Sequence, residues 1–488
     1  MARPRSLSLL FGFFAFTLFL THFKLLELPY FWDEAGQFIP QSHDLFSRGL
    51  LIPQSTSPNS HPPGLPIFLA ALWHLTGVSI TITRAAMLLI ASAYFTVSFL
   101  LSVQLLRGSH GTPAFLAAAM LLCNPLLYTQ SIMAQLDLPS ALFSTLLLLA
   151  YTQKRETLAI VAACLSVAFK ETSIAIPLVL AIVAYKEGRT RFAALLVGLP
   201  SLLLANWFGY VALRTGHLFG DSAYTQYNVF YPLHPARLAY ALFRRISYLA
   251  IENFHFIPAA ILLLQWKHIG FHPAWRPLAA AVAAHALTVS ITGGAVLERY
   301  LLPALPLLYT AFAAGLSTLR PRPRYIALGL TCTGLFAMLF LNPPWPFPLE
   351  NNLAMVDLVE IQRNAAGFAE VRFSDHRVTT AWPMTDALRK PYLGYVEKPI
   401  KNLRSIEDFS LARLQSLDWQ RGDVLILYSR SWNPESSLAR WPILRDLLRK
   451  FLQAPEEVTQ RDIPDLPKLK PYVGYNQRGL WVEILVVP

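Results

Sequence analysis

Charged side chains are scarce in this chain. Asp, Glu, Lys and Arg make up 14% of its 488 residues, against about 25% in an ordinary soluble domain, and the shortage is uneven. Up to Asn342 apolar runs alternate with short polar links, whereas from about residue 350 charges return at ordinary density. A water-soluble globule of this length is therefore excluded for the first two thirds and allowed for the last. Cysteine is scarce too: Cys123, Cys164 and Cys332 all fall in apolar stretches, which argues against a disulfide framework or a thiolate metal site. The last third also lacks a glycine-rich phosphate loop and a metal-spaced His/Cys cluster, and no internal repeat is visible.

What the chain has instead is apolar sequence, 54% of the residues. A membrane-spanning helix needs about 20 mostly apolar residues, and eleven segments qualify with soft edges: 7–26, 82–106, 112–131, 137–152, 157–169, 172–185, 191–213, 240–264, 276–292, 300–317 and 325–341. The first follows Arg3 and Arg5 like a signal peptide, but its apolar run is long and no small-residue cleavage site follows it, so it reads as a spanning helix. The net charge of +12 does not point to nucleic acid, because the basic residues sit in every second link: Arg107; Lys154 and Arg155; Lys186, Arg189 and Arg191; Lys267 and Arg276; Arg320, Arg322 and Arg324. Basic links mark the cytoplasmic side. Eleven crossings then put the N-terminus inside and the C-terminal part outside.

Segments 157–169 and 172–185 are short, yet fusing them into one crossing would reverse every later orientation, so a hairpin with Lys170-Glu171 at its apex is the better reading. Gly64 to Val78 is apolar but too short to span, and is expected to lie along the surface or re-enter. Asn342-Pro343-Pro344-Trp345-Pro346 forbids a continuing helix, which divides the chain into a membrane domain, 1–342, and an extracytoplasmic domain, 343–488. In the latter, a helical pattern over Leu353–Val371 joins strand-like runs at Arg377–Ala381, Val424–Tyr428 and Trp481–Val487. The expected fold class is an all-α polytopic membrane domain with a small α/β soluble domain.

Five polar stretches fall at the outer ends of these segments. Asp33 and Glu34 stand among the aromatics of Tyr30 to Phe38, where a carboxylate near low dielectric can act as a base or hold a metal; an interfacial aromatic belt is the plainer reading. His61 precedes two prolines and reads as a site residue or a surface histidine. Asp137, before a helix-opening proline, reads most simply as a cap. Lys170 and Glu171 read as a neutralising pair, and Glu298-Arg299-Tyr300 as interfacial snorkelling. The topology rests on the apolar runs and basic links alone, and it gathers all of these residues at one level.

These stretches also carry a resemblance. WDEAGQF at 32–38, the His61-Pro62-Pro63 to Leu72-Trp73 order, LDLPSALFSTLLLLAY at 136–151, AFKETS at 168–173 and ERYLLPALP at 298–306 resemble, in order and spacing, the polytopic glycosyltransferases of the GT-C fold. The nearest branch is the one holding protein O-mannosyltransferases and lipid A aminoarabinose transferases. The resemblance covers most of residues 1 to 320 and departs at His61, where the aminoarabinose branch tends to have lysine. It implies a hexosyl or pentosyl donor on a polyprenyl phosphate in a bacterial-type inner membrane, an acceptor (protein, lipid or glycan) reached from the outer face, and inversion at the sugar carbon. Asp33 is then the expected catalytic base with Glu34 second. Lys170 and Arg299 are the expected phosphate-binding cations; His61, Asp137, Glu171, Glu298 and Tyr300 support them. Family members differ in metal use, and Asp33 with Asp137 or His61 would be the ligands of a divalent ion. The competing readings are a glycan polymerase or ligase with another lipid-linked donor, a lipid or solute transporter, for which inverted repeats and a midplane site are the usual signs, and an interaction protein that uses the membrane part as an anchor.

Overall fold

The computed structural model describes residues 4–106, 112–432, 443, 457–466 and 468–488; the basic link at Arg107 lies outside them. Helices occupy all eleven apolar segments. By length and composition, four of them, Ser6–Leu25, Ile80–Leu105, Thr190–Thr215 and Glu298–Ser317, can cross a membrane. Their outer faces expose large apolar side chains, among them Leu9, Phe16, Leu20 and Leu202. A continuous apolar surface of this kind needs lipid rather than water, and the chain is a multi-pass membrane protein.

Local chemistry explains where helices start and stop. Segment 112–131 is two helices, Thr112–Cys123 and Pro125–Gln130, because Pro125 has no N–H to continue the ladder. Asn124 caps the second by accepting from the Leu127 N–H. The hairpin is present: the helix Glu156–Phe169 ends at Lys170, a tight turn over Glu171–Ile174 follows, and Ala175–Lys186 runs back. Arg189 then meets Glu156 at 2.9 Å, which closes the far end. Gly64–Thr76 is a helix, and Gly64 is there because its Cα lies against the Ala168 carbonyl, where a Cβ would sit 2.4 Å from the oxygen.

One segment departs from its expected form. Residues 240–264 are not a single helix: Pro235–Ala250 and Phe256–Gln265 meet at a kink where Asn253 and Phe254 have φ of 53° and 65°. The first helix buries Arg237 and Arg245 and exposes Phe243 and Ile246. That two-sided pattern belongs to a helix lying along an interface.

Beyond the proline link, the helix Ala354–Phe373 packs on a five-stranded sheet. The strands are β1 (Val378–Ala381), β2 (Leu403–Ile406), β3 (Val424–Tyr428), β4 (Lys470–Gln477) and β5 (Leu480–Val486), in the order β2-β1-β3-β5-β4. β1 runs parallel to β2 and β3, with Val378 opposite both Leu403 and Val424. β5 is antiparallel to β3 and β4. The β4–β5 hairpin turns through Arg478 and Gly479, both at positive φ, the geometry a two-residue hairpin needs. Strands β2 and β4 have no counterpart among the expected strands: β2 is four residues long, and β4 is an edge strand that contains Pro471 and Gly474 and shifts register between Pro471 and Val473.

The two parts share one apolar core, which runs from Tyr30 and Phe31 through Ala381 and Tyr395 into the sheet. Polar contacts cross it as well: Tyr395 donates to the Tyr30 carbonyl at 3.0 Å and Lys390 to the Ser55 carbonyl at 2.8 Å.

Candidate active site

The loop after the first helix sets the site. Trp32 lies at φ 40°, a left-handed conformation that costs a non-glycine residue about 1–2 kcal/mol. From there Glu34–Phe38 forms a wide turn, and the two neighbouring carboxylates part. Glu34 points into the protein and is fully buried. Its oxygens accept from both Arg84 nitrogens, at 2.5 and 3.1 Å, and from the backbone N–H groups of Phe31 and Ala134. Arg84 completes its fork on the Leu28, Pro29 and Ile132 carbonyls. Every strong donor and acceptor in this pair is used. The expectation that Glu34 could serve as a second catalytic base is therefore corrected: its carboxylate holds the loop and does not reach the cavity.

Asp33 takes the other direction, with its side chain about a quarter exposed, onto a cavity of about 830 Å³. His61, Lys170, Glu171, Arg299 and Tyr300 also line it, so six of the nine residues singled out from the sequence share one space. The remaining three are Glu34, Asp137 and Glu298. Asp137 stands behind Lys170, and Glu298 is paired at 2.6 Å with Arg244 of the interfacial helix.

Arg299 is the centre of the charge network. Its Nη2 donates to Asp33 at 2.5 Å, its Nη1 lies 3.1 Å from Glu350, and its Nε lies 3.2 Å from Asp137. Lys170 pairs with Asp137 and sits 3.6 Å from the centre of the Tyr300 ring. His61 Nδ1 meets Glu171 at 3.0 Å and its Nε2 meets the Tyr224 hydroxyl at 3.3 Å. The snorkelling reading of Arg299 fails, because the side chain is about 3% exposed. Burial of this many charges is tolerated only because each has a partner.

The space between Asp33 and Asp137 is held by the Arg299 guanidinium, so this pair does not fit a divalent ion in the arrangement seen. Among the described residues no group of three His, Cys, Asp or Glu side chains gathers at metal-holding range.

The cavity has two characters. The ionic cluster forms one end, while Leu204, Phe208, Phe219 and Val289 form an apolar wall. The sheet domain supplies a third side through Trp382 and Arg430. Trp382 explains the glycine of the WDEAG stretch: its ring lies where a Gly36 Cβ would stand, 2.2 Å away.

Sequence reasoning missed Arg84, Glu350, Tyr224, Trp382 and Arg430. Arg84 carried a signal, a lone arginine just inside an apolar segment with no acid near it in sequence. Glu350 carried none, since it follows the proline link and lies 51 residues from its partner.

No protein-family model matches the sequence, and no curated protein matches it. Solved structures do. The crystal structure of ArnT from Cupriavidus metallidurans bound to undecaprenyl phosphate superposes with a TM-score of 0.57 at 15% identity, over 99% of this chain and 98% of that one. The apo form of the same protein gives 0.57 at 14% identity, over 98% and 97%. The likeness runs through both the helical part and the sheet domain, and the GT-C fold expected from the motifs is the fold observed.

Proposed function

We propose that this protein is an integral-membrane glycosyltransferase that moves a sugar from a polyprenyl-phosphate donor to an acceptor hydroxyl on the outer face of a bacterial-type inner membrane. The observation that carries the reading is the cavity itself, in which ionic side chains, among them Asp33, Lys170 and Arg299, face an apolar wall. A lipid phosphate is both anionic and apolar, and few other ligands ask for both surfaces. The undecaprenyl phosphate bound to ArnT, a protein of the same fold, supports this choice of ligand.

Asp33 accepts the acceptor's proton as the acceptor oxygen attacks the anomeric carbon. The bond from that carbon to the phosphate oxygen breaks, its electron pair leaves with the phosphate, and the sugar is inverted. Lys170 and Arg299 stabilise the negative charge of the departing lipid phosphate. Glu34 holds the Asp33 loop, and Asp137, Glu171, His61, Glu298 and Tyr300 hold the cations and the cavity wall. The domain 343–488 positions the acceptor against Asp33.

Mass spectrometry of outer-face glycans and glycoproteins, with and without the protein, tests the activity. One sugar addition should vanish in its absence; an unchanged profile contradicts the proposal. The proposed eleven crossings, with the N-terminus inside, rest on the alternating basic links. A reporter fused after residue 345 should be active outside the cytoplasm and one fused after 189 inside; both on one side would end that topology.

A further inference from the structure

We propose that Glu350 is a donor-binding residue that yields Arg299 to the donor phosphate by taking up a proton, and then donates a hydrogen bond to the phosphate. This rests on the donor reading given above and adds to it a residue and a proton.

The argument begins with the Arg299 fork. All three of its donor nitrogens face carboxylates, Asp33, Asp137 and Glu350. A phosphate that takes up a position in this fork displaces one of these carboxylates. Asp137 is also held by Lys170 and has a second cation to keep it ionised. Asp33 faces the cavity and is partly open to solvent, so its charge is stabilised from outside. Glu350 also lines the cavity, but it has no second cation and far less exposure than Asp33. Its side chain is about 6% exposed, and Arg299 is its one cation among the described ion pairs.

The groups packed around Glu350 agree in sign. Asp33, Asp137 and Glu298 all act on it as like charges, and Arg299 alone opposes them. The neighbouring helix Pro125–Gln130 brings no ionisable carboxylate or cation, only the Thr129 hydroxyl on the Glu350 backbone carbonyl. In the helix Ala354–Phe373, Asp357 is already paired with Arg478 at 2.6 Å. Burial, the largest cause, pushes the Glu350 carboxyl up to about 7, so at neutral pH a proton is available to it at little cost. A phosphate arriving beside Arg299 adds negative charge and raises that affinity further. The carboxylic acid so formed turns from acceptor to donor, and a protonated Glu350 on a phosphate oxygen restores the hydrogen bond it gave up to Arg299.

Glu350 also lies in the turn Leu349–Asn351, between the last membrane segment and the helix Ala354–Phe373.

The test is binding of undecaprenyl phosphate to the full-length protein in detergent between pH 6 and pH 9, for wild type and for Glu350→Gln. The carboxamide imitates the neutral acid and keeps a donor. Titration of the probe's own phosphate is common to both proteins and cancels in the comparison. Above pH 7 the wild type should lose affinity relative to the variant by up to about tenfold per pH unit, the limit for uptake of one proton. At pH 6 the two should bind alike. Parallel profiles over the whole range, or a variant that binds more weakly than wild type at pH 9, would overturn the assignment while leaving the donor reading in place. A wild type that binds no undecaprenyl phosphate at any pH overturns both. Glu350→Asp, which retains the charge and the titration, should keep the wild-type slope; its loss there would likewise count against the proposal.

Discussion

Two ion clusters lie side by side at one end of the helical domain, and they use the same chemistry for opposite ends. Around Arg84 the guanidinium and the Glu34 carboxylate are both fully buried, and backbone groups take up what the pair leaves over. Around Arg299 the guanidinium is also buried, but three carboxylates compete for it and two of them, Asp33 and Glu350, line the cavity. The first cluster is closed and can only hold the fold. The second has more acid than base, one open face and a partner that can be exchanged, which is what a site for an anionic ligand requires. Adjacency in sequence says nothing of this difference: Asp33 and Glu34 are neighbours, and the turn after Trp32 sends one to each cluster.

Breaking the closed cluster should have the largest effect on folding. Arg84→Met leaves the Glu34 charge buried and unpaired, a loss of roughly 3–5 kcal/mol, visible as a lower melting temperature and a poor yield of folded protein. If Arg84→Met melts like wild type, the cluster is not closed in the sense argued.

The open cluster should respond in donor binding, which the closed cluster does not touch. Arg299→Ala and Lys170→Ala should weaken undecaprenyl phosphate binding by on the order of 2–5 kcal/mol, the range for removing one partner of a desolvated charge pair. Arg299→Ala also leaves three acids together, so its melting temperature should recover as pH is lowered, whereas that of Arg84→Met depends on one acid only. Donor affinity unchanged in both variants would rule out the phosphate role.

The smallest effect is expected far from both clusters, at Arg377 and Asp423 in the sheet domain. Burial works against the Asp423 charge, but the Arg377 hydrogen bond and the Gln420 N–H together hold its carboxyl below the usual range. Its contribution is therefore present at neutral pH and lost as pH falls through that depressed value. Asp423→Asn should cost about 1 kcal/mol or less at pH 7 and nothing once the wild-type carboxylate is protonated. A variant that loses donor binding would show that the sheet domain is coupled to the cavity more tightly than the comparison allows.

Much of the scaffold was legible because hydrophobicity is a long-range signal. The apolar runs located the helices of all eleven segments but not Ile39–Arg48, and the basic links favoured the hairpin at Lys170-Glu171 over one fused crossing. The break at Asn253-Phe254 was not legible, since no proline or glycine marks it and its left-handed residues are ordinary in type. Strands β2 and β4 escaped for a related reason: one is four residues long, and the other contains the proline and glycine that normally argue against a strand. In the site, motif order brought out Asp33, Lys170 and Arg299, which the structure gathers at one cavity. It ranked Asp33 ahead of Glu34 but could not say what holds Glu34, because that partner is Arg84, 50 residues away. Nor could it find Glu350, whose role depends wholly on what it is folded against.

The most direct test of the account compares Asp33→Asn with Glu34→Gln, each measured for glycan transfer per folded molecule and for melting temperature in the same preparation. Asp33→Asn should melt near wild type and lose about 10²- to 10⁴-fold in transfer, the usual cost of removing a general base. Glu34→Gln should melt markedly lower, while the molecules that remain folded transfer at a rate much closer to wild type. Near wild-type transfer by Asp33→Asn, or a greater loss per folded molecule in Glu34→Gln than in Asp33→Asn, would contradict the division of the two acids between a site and a scaffold.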